Sequence, residues 1–234
     1  CVCIMFSFGF SSHADTVTYP LKMMNQSTGI RNVVFDLGGV LLEWNPRQIV
    51  ARAFEDPAVA RRVLDQVFQD PDWLEFDAGN MSEPKAIRFF AGKTGLGEPA
   101  IRRLFEVYRD GLAPIPESVA FFDAVHRMGL RRYCISNIHH TIFTDLARRH
   151  PFLRDFNGVV TSGRVGILKP DLRIYEHLLT TYALEPSATV FFDDRTDNVQ
   201  AAVNAGIHGV LFTGAETARQ CLQRMINTVR EDAS

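Results

Sequence analysis

Acidic, hydroxyl and ammonium groups stand just beyond apolar runs at four places in this 234-residue chain. Asp36 follows Asn32-Val33-Val34-Phe35, and Ser136-Asn137 follow Arg132-Tyr133-Cys134-Ile135. Lys169-Pro170 lie a little past Gly158-Val159-Val160, and Asp193-Asp194 follow Val190-Phe191-Phe192, with Asp197 in the next turn of chain. One acid at a strand end is as readily a helix cap as a reactive group. Four such points together ask for a common explanation. Carboxylates that converge on one end of a sheet repel one another unless a cation or the Lys169 ammonium compensates. A hard divalent cation such as Mg²⁺ takes carboxylate, water and phosphate oxygens, which suits Asp36 with Asp194 and makes Asp193 a further candidate. Such a cation offsets charge developing on a transferring phosphoryl group, while Lys169 screens the nucleophile from the phosphate. Asp36 can then attack phosphorus as a covalent nucleophile.

The elements that must hold these groups are short. Apolar, often β-branched runs over 32–35, 132–135, 158–160, 188–192 and 209–212 suit strands buried on both faces of a parallel sheet. Amphipathic stretches over 117–128, 141–149, 173–182 and 198–205 alternate with the later runs, so the expected fold is a doubly wound, Rossmann-like α/β domain. In such sheets, ligands bind beyond the carboxyl ends of the strands, where the four polar points fall. The long interval between the first two strands reads as helical, near 46–54, 58–68, 83–94 and 99–108. One crossover helix would suffice there, so the surplus is an inserted α-helical cap. Turn-rich joints at Glu43-Trp44-Asn45-Pro46 and Ala113-Pro114-Ile115-Pro116 bound it. The expected division is an N-terminal extension over 1–29, an α/β core over 30–45 and 115–215, a cap over 46–114 and a C-terminal helix over 216–234.

Composition narrows the function classes. Hydrophobic residues make up 46% and charged residues 22%, an ordinary globular balance. A formal charge of -2 gives no basic footprint, so neither nucleic acid nor an anionic membrane is an expected partner. Cys1, Cys3, Cys134 and Cys221 form neither a metal-ligand cluster nor a disulfide framework, which points to a reducing cytoplasm. The apolar opening is too short to span a bilayer and has no basic residue before it, so it makes a poor signal peptide. Met23-Met24 precede the first strong strand, and residues 1–22 read as upstream translation or an arm.

Taken in order, the motifs resemble those of the haloacid dehalogenase (HAD) superfamily. Asp36-Leu37-Gly38-Gly39-Val40-Leu41-Leu42 resembles the first motif, Ser136-Asn137 the second, Lys169-Pro170 the third and Asp193-Asp194-Arg195-Thr196-Asp197-Asn198 the fourth. The match spans about residues 31 to 213. The resemblance implies a HAD core with a type 1 helical cap and a Mg²⁺-dependent phosphatase acting through an aspartyl-phosphate. It makes Asp36 the nucleophile and Lys169 the phosphate-binding cation. Ser136 and the Asn137 amide become the phosphate cradle, with Gly39 in the substrate-binding set. Asp36, Asp194, the Gly38 carbonyl and Asp193, directly or through water, become the metal ligands, and Asp197 orients Lys169 or metal-bound water. One departure matters: most such phosphatases carry an acid/base aspartate where this chain has Gly38. A branch similar to bacterial α-D-glucose-1-phosphate phosphatases shares Asp-Leu-Gly and Phe-Phe-Asp-Asp. A sugar phosphate, with its good leaving group, is therefore the favoured small phosphate ester. The alternatives are a metal-free 2-haloacid dehalogenase, or a catalytically weak protein that holds a phosphorylated ligand.

Other residues admit a chemical and a plain reading. His139 and His140 could supply the missing acid/base, or simply pack and face solvent in the first turn of a helix. Trp44 could close over a substrate or anchor the cap. Asp77-Ala78-Gly79 could form a specificity loop or an interhelical turn. Arg195 could touch phosphate, though offsetting its acidic neighbours is the simpler role. The pairs Arg102-Arg103 and Arg148-Arg149 read as solvated faces, and Cys134 as a buried small hydrophobe.

Overall fold

The computed structural model describes residues 29–231, so residues 1–28 of the expected extension, with Cys1, Cys3 and the apolar opening, lie outside the described residues. Five parallel strands, β1 (Asn32–Phe35), β2 (Arg131–Ser136), β3 (Gly158–Thr161), β4 (Thr189–Asp193) and β5 (His208–Leu211), form one sheet in the order β3-β2-β1-β4-β5. The fold is the doubly wound α/β architecture of HAD-like hydrolases. The chain works outward from β1 to β3 and then crosses to β4, so the winding reverses between β1 and β4. Such a switch point opens a crevice at the carboxyl ends of its strands.

Alternation along each strand divides the core. Val33, Phe35, Cys134, Val190 and Phe192 face a layer that contains Phe121, Phe122 and Val125 of α6 (Pro116–Arg127). Ala218, Cys221 and Leu222 of α11 (Ala215–Glu231) complete that layer. Val34, Tyr133, Ile135 and Phe191 face the other way, towards Ile174, Tyr175 and Leu178 of α9 (Leu172–Thr181) and Ala201 and Ala202 of α10 (Thr196–Asn204). At the centre, the Phe35 ring lies edge-on to Phe121 and Phe122, each with a centroid separation of 5.7 Å.

Between β1 and β2 the chain forms α1 (Pro46–Ala53), α2 (Pro57–Val63), α3 (Pro71–Asp77), α4 (Glu83–Thr94) and α5 (Glu98–Gly111). Asn45, Asp56 and Asp70 each cap a helix with a side-chain oxygen, and each is followed by proline in the first turn. A π-helical turn over Leu64–Phe68 extends α2. The segment α3 was not among the expected helices. It spans seven residues, too few for an apolar period to emerge, and Asp70-Pro71 is its main sequence signal. The one-turn helix α8 (Ser162–Val165) was missed for the same reason.

Cap and core are joined by polar as well as apolar contacts. The Ser162 hydroxyl donates to the Asp77 carbonyl at 2.7 Å and accepts from the Ile138 N–H at 2.9 Å. On α7 (His140–Arg149), Arg149 pairs with Asp110 of α5 at 2.7 Å and with Asp145 at 3.0 Å. Arg149 therefore bridges two layers and is no mere solvated side chain, whereas Arg102 pairs along its own helix with Glu98. Among the described residues, no helix is long and apolar enough to cross a membrane.

Ser162→Ala removes one hydroxyl that serves two buried backbone groups. The expected loss is about 1–3 kcal/mol of stability, read from urea unfolding, without a change in the denaturant slope.

Candidate active site

Sheet register brings the first two acids together. Phe35 pairs with Phe192 across β1 and β4, and the Asp36 N–H donates to the Phe192 carbonyl at 3.0 Å, so Asp36 and Asp193 leave the sheet side by side. Between them stands Lys169, whose Nζ lies 2.8 Å from Asp36 Oδ1 and 2.6 Å from Asp193 Oδ2. The Ile135 carbonyl lies 3.2 Å from the same nitrogen, so three acceptors meet its three N–H bonds. All three side chains are buried.

Each member is held by its own support. The Asn137 side chain accepts from the Lys169 N–H at 2.8 Å and donates to the Lys169 carbonyl at 2.9 Å, which fixes the lysine backbone. Asn198 donates to both Asp193 oxygens at 3.0 Å, and the Arg195 N–H donates to Asp193 Oδ1 at 2.9 Å. Asn198 was not among the expected site residues, although its place at the start of a helix just past the paired acids could have revealed it. Ser136, buried at the end of β2, stands next to Asn137 beside the lysine.

Two expectations change. Asp197 was expected to orient Lys169 or metal-bound water; instead it pairs with Arg195 at 2.8 Å and accepts from the Asn198 N–H at 3.0 Å. Asp193 orients the lysine, because β4 points it inward, while Asp197 lies a turn further along on the exposed side of α10. Gly39, placed with the substrate-binding residues, spends its N–H on the Leu42 carbonyl at 2.8 Å. Its role is steric: φ is +74°, and a Cβ there would run into the Asp194 carboxylate.

Beside Gly38 lies Trp44. A Cβ at position 38 would sit 3.3 Å from Trp44 Cβ. The indole packs edge-on against Phe68 and Tyr108, each at 5.8 Å, and is 36% exposed, so it is both a cap anchor and part of the wall beside Asp36. His139 is buried, caps α7 and stacks on Phe76 of α3 at 4.5 Å, with Nδ1 2.8 Å from the Thr141 hydroxyl. His140 is exposed, its Nδ1 3.2 Å from the Gly163 carbonyl.

Electrostatics fit a cation site. Asp36, Asp193 and Asp194 each offer an oxygen, and these atoms lie within 4.8 Å of one another. Burial lifts the Asp36 carboxyl to about 6, with Lys169 opposing and Asp193 adding to the rise. Burial and then the Asp193 charge also raise Asp194. Burial alone would lower Lys169, but Asp36 and Asp193 outweigh it and hold the ammonium above its usual range. One ammonium therefore faces three acids, and the excess negative charge suits a divalent cation.

A family model described as haloacid dehalogenase-like hydrolase matches residues 30–206. The chain is similar to the sesquiterpene phosphatase astK of Aspergillus oryzae, with 27% identity over 85% of this chain and 98% of that protein. Among solved structures it is similar to a HAD-like family hydrolase from Porphyromonas gingivalis, at a TM-score of 0.68 and 26% identity, covering 84% of this chain and 98% of that one. A HAD family enzyme from Bacteroides thetaiotaomicron, solved with magnesium and inorganic phosphate, shares the fold at a TM-score of 0.64 and 18% identity, over 76% of this chain and 92% of that one.

A cation needs Asp36 ionised, and in the cation-free protein that carboxyl takes up its proton as pH falls through about 6. The rise in unfolding temperature caused by Mg²⁺ is therefore expected to be greatest above about pH 7 and to fade towards pH 5. A thermal-shift series across that range checks the sign; a stabilisation that grows towards acid contradicts the assignment.

Proposed function

The chain belongs to the haloacid dehalogenase-like hydrolases, and we propose that within them it is a Mg²⁺-dependent phosphatase, hydrolysing a small phosphate monoester through an aspartyl-phosphate on Asp36. One observation carries this reading: Asp36, Asp193 and Asp194 converge within 4.8 Å around a fixed ammonium. An attack on carbon, as in a 2-haloacid dehalogenase, needs the nucleophile but has no use for Asp194 as a cation ligand. A protein that only held phosphate would gain nothing from a carboxylate at the position of Asp36.

Asp36, Asp194 and the Gly38 carbonyl would hold Mg²⁺, with Asp193 bound directly or through water. When bound, Mg²⁺ supplies positive charge beside the phosphoryl oxygens. Lys169 holds Asp36 Oδ1 and fixes the carboxylate for attack. The Ser136 hydroxyl and the Asn137 N–H donate to phosphoryl oxygens as charge builds on them. Attack by Asp36 breaks the bond to the leaving oxygen, and water then cleaves the aspartyl-phosphate.

Two classes of alcohol fit the leaving group. A sugar 1-phosphate departs with the least help from an acid, which suits Gly38. A terpenoid phosphate is favoured by a different observation, the aromatic group of Trp44, Phe68 and Tyr108 beside that glycine, and by the likeness to a sesquiterpene phosphatase.

Phosphate release from glucose 1-phosphate, farnesyl phosphate, a nucleotide and phosphoglycolate, with and without Mg²⁺, tests the reading. The parent is expected to release phosphate only with the metal, and Asp36→Asn to lose roughly a thousandfold or more in kcat. Halide release from haloacetates without metal would overturn it in favour of the dehalogenase.

A further inference from the structure

Position 38 has no proton to give, and Trp44 stands 3.3 Å from where a Cβ would be. The buried acids among the described residues are Asp36, Asp77 and Asp193. The first and last share Lys169. Asp77, at the end of α3, lacks an ionic partner of this kind. The Trp73 side chain and the His139 N–H orient its carboxyl, yet Oδ1 is buried with no hydrogen-bond partner. Folds seldom keep such an atom without a use for it.

Its place in the fold gives that atom a use. The loop at Asp77 is pressed onto the core. Its carbonyl accepts from Ser162, Phe76 stacks on His139, and Gly79, at φ +80°, meets the Gly163 backbone so closely that no Cβ fits. His139 follows Ser136 and Asn137 out of β2. On its other flank Asp77 acts electrostatically on Tyr108, whose ring packs against Trp44 beside Gly38. Asp77 thus lies between two landmarks that bracket Asp36: the end of β2 and the glycine that lacks an acid.

We propose that Asp77, reaching in from the cap, is the acid/base of the reaction and does what Gly38 cannot. The proposal rests on the phosphatase reading. As Asp36 attacks phosphorus, the electron pair of the breaking P–O bond goes to the leaving oxygen, which takes the Asp77 proton. Asp77, now a carboxylate, takes a proton from the water that attacks the aspartyl-phosphate. The P–O bond to Asp36 breaks with its electron pair returning to Asp36, and both acids are restored. The surroundings favour the starting state. Burial pushes the Asp77 carboxyl well above its usual range, only partly opposed by Trp73 and His139. Of the groups facing it, burial and then the Asp77 charge raise Tyr108 on α5, and burial and then His140 lower His139. Glu83 and Arg109 pair with each other on α4 and α5.

Asp77→Asn keeps size and burial. The parent and the variant are compared, with Mg²⁺, on p-nitrophenyl phosphate, whose leaving group departs unprotonated, and on octyl phosphate, farnesyl phosphate and glycerol 2-phosphate, whose leaving groups do not. The variant is expected to lose on the order of a hundredfold in kcat on the alkyl esters, together with the basic limb of their pH profile. On p-nitrophenyl phosphate it is expected to give a burst of one nitrophenol per enzyme at near-parent rate, followed by slow turnover as the aspartyl-phosphate waits for a base. Equal losses on both kinds of ester without a burst mark a structural loop and overturn the proposal, as does a variant that matches the parent. It also falls if the parent releases nitrophenol but cleaves none of the alkyl esters. A parent inactive on every ester sinks the phosphatase reading itself, and this proposal with it.

Discussion

The ammonium of Lys169, set between Asp36 and Asp193, is the interaction on which the rest of the site depends. Two carboxylates emerging side by side from adjacent buried strands would each tend to take up a proton, because burial and mutual repulsion both disfavour the ionised forms. One fixed positive charge opposes this for both, and the Ile135 carbonyl occupies its remaining donor. Pairing of this kind fails if a partner can swing away, since a lone buried charge is costly. The fold prevents this with two asparagines: Asn137 grips the lysine backbone from both sides, and Asn198 grips both oxygens of Asp193. Asp194 remains at the rim, exposed and outside the lysine pair, as the acid most open to a cation.

The cap is governed by a different constraint. Its helices are short and could not stand alone, so they are stable only where their aromatic faces find cover. Trp73, Phe76, Phe90, Phe105 and Tyr108 cover one another, and Phe76 reaches out to stack on His139. Trp44, at the hinge, completes this group while lying against Gly38. Packing of the cap and the chemistry of the leaving-group side are thus coupled through one indole. The absence of a side chain at position 38 and the presence of a tryptophan at position 44 are two aspects of a single arrangement.

Much of this was legible in the sequence because strand ends in a parallel α/β sheet must carry the site. Buried runs such as Val33-Val34-Phe35 and Val190-Phe191-Phe192 have no polar face, so the first polar residues beyond them had to mark the crevice. Short elements were not legible in this way: α3 and α8 have too few residues to show a period, and their signal lies in Asp70-Pro71 and in contacts made after folding. Asp197 was misread because order along the chain does not say which acid a helix turns outward.

The sequence by itself determined the class of fold, the order of the strands along the chain and the set of groups able to meet at one edge, because apolar period and residue chemistry are local properties. Tertiary structure alone decided how those groups are shared: that Asp193 rather than Asp197 holds Lys169, that Gly39 serves by its lack of a side chain, and that Asp77 is buried in the seam with one oxygen unpaired. Such partnerships depend on strand register and on the angle at which cap meets core. Both are set by packing between segments far apart in the chain, and no local pattern encodes them.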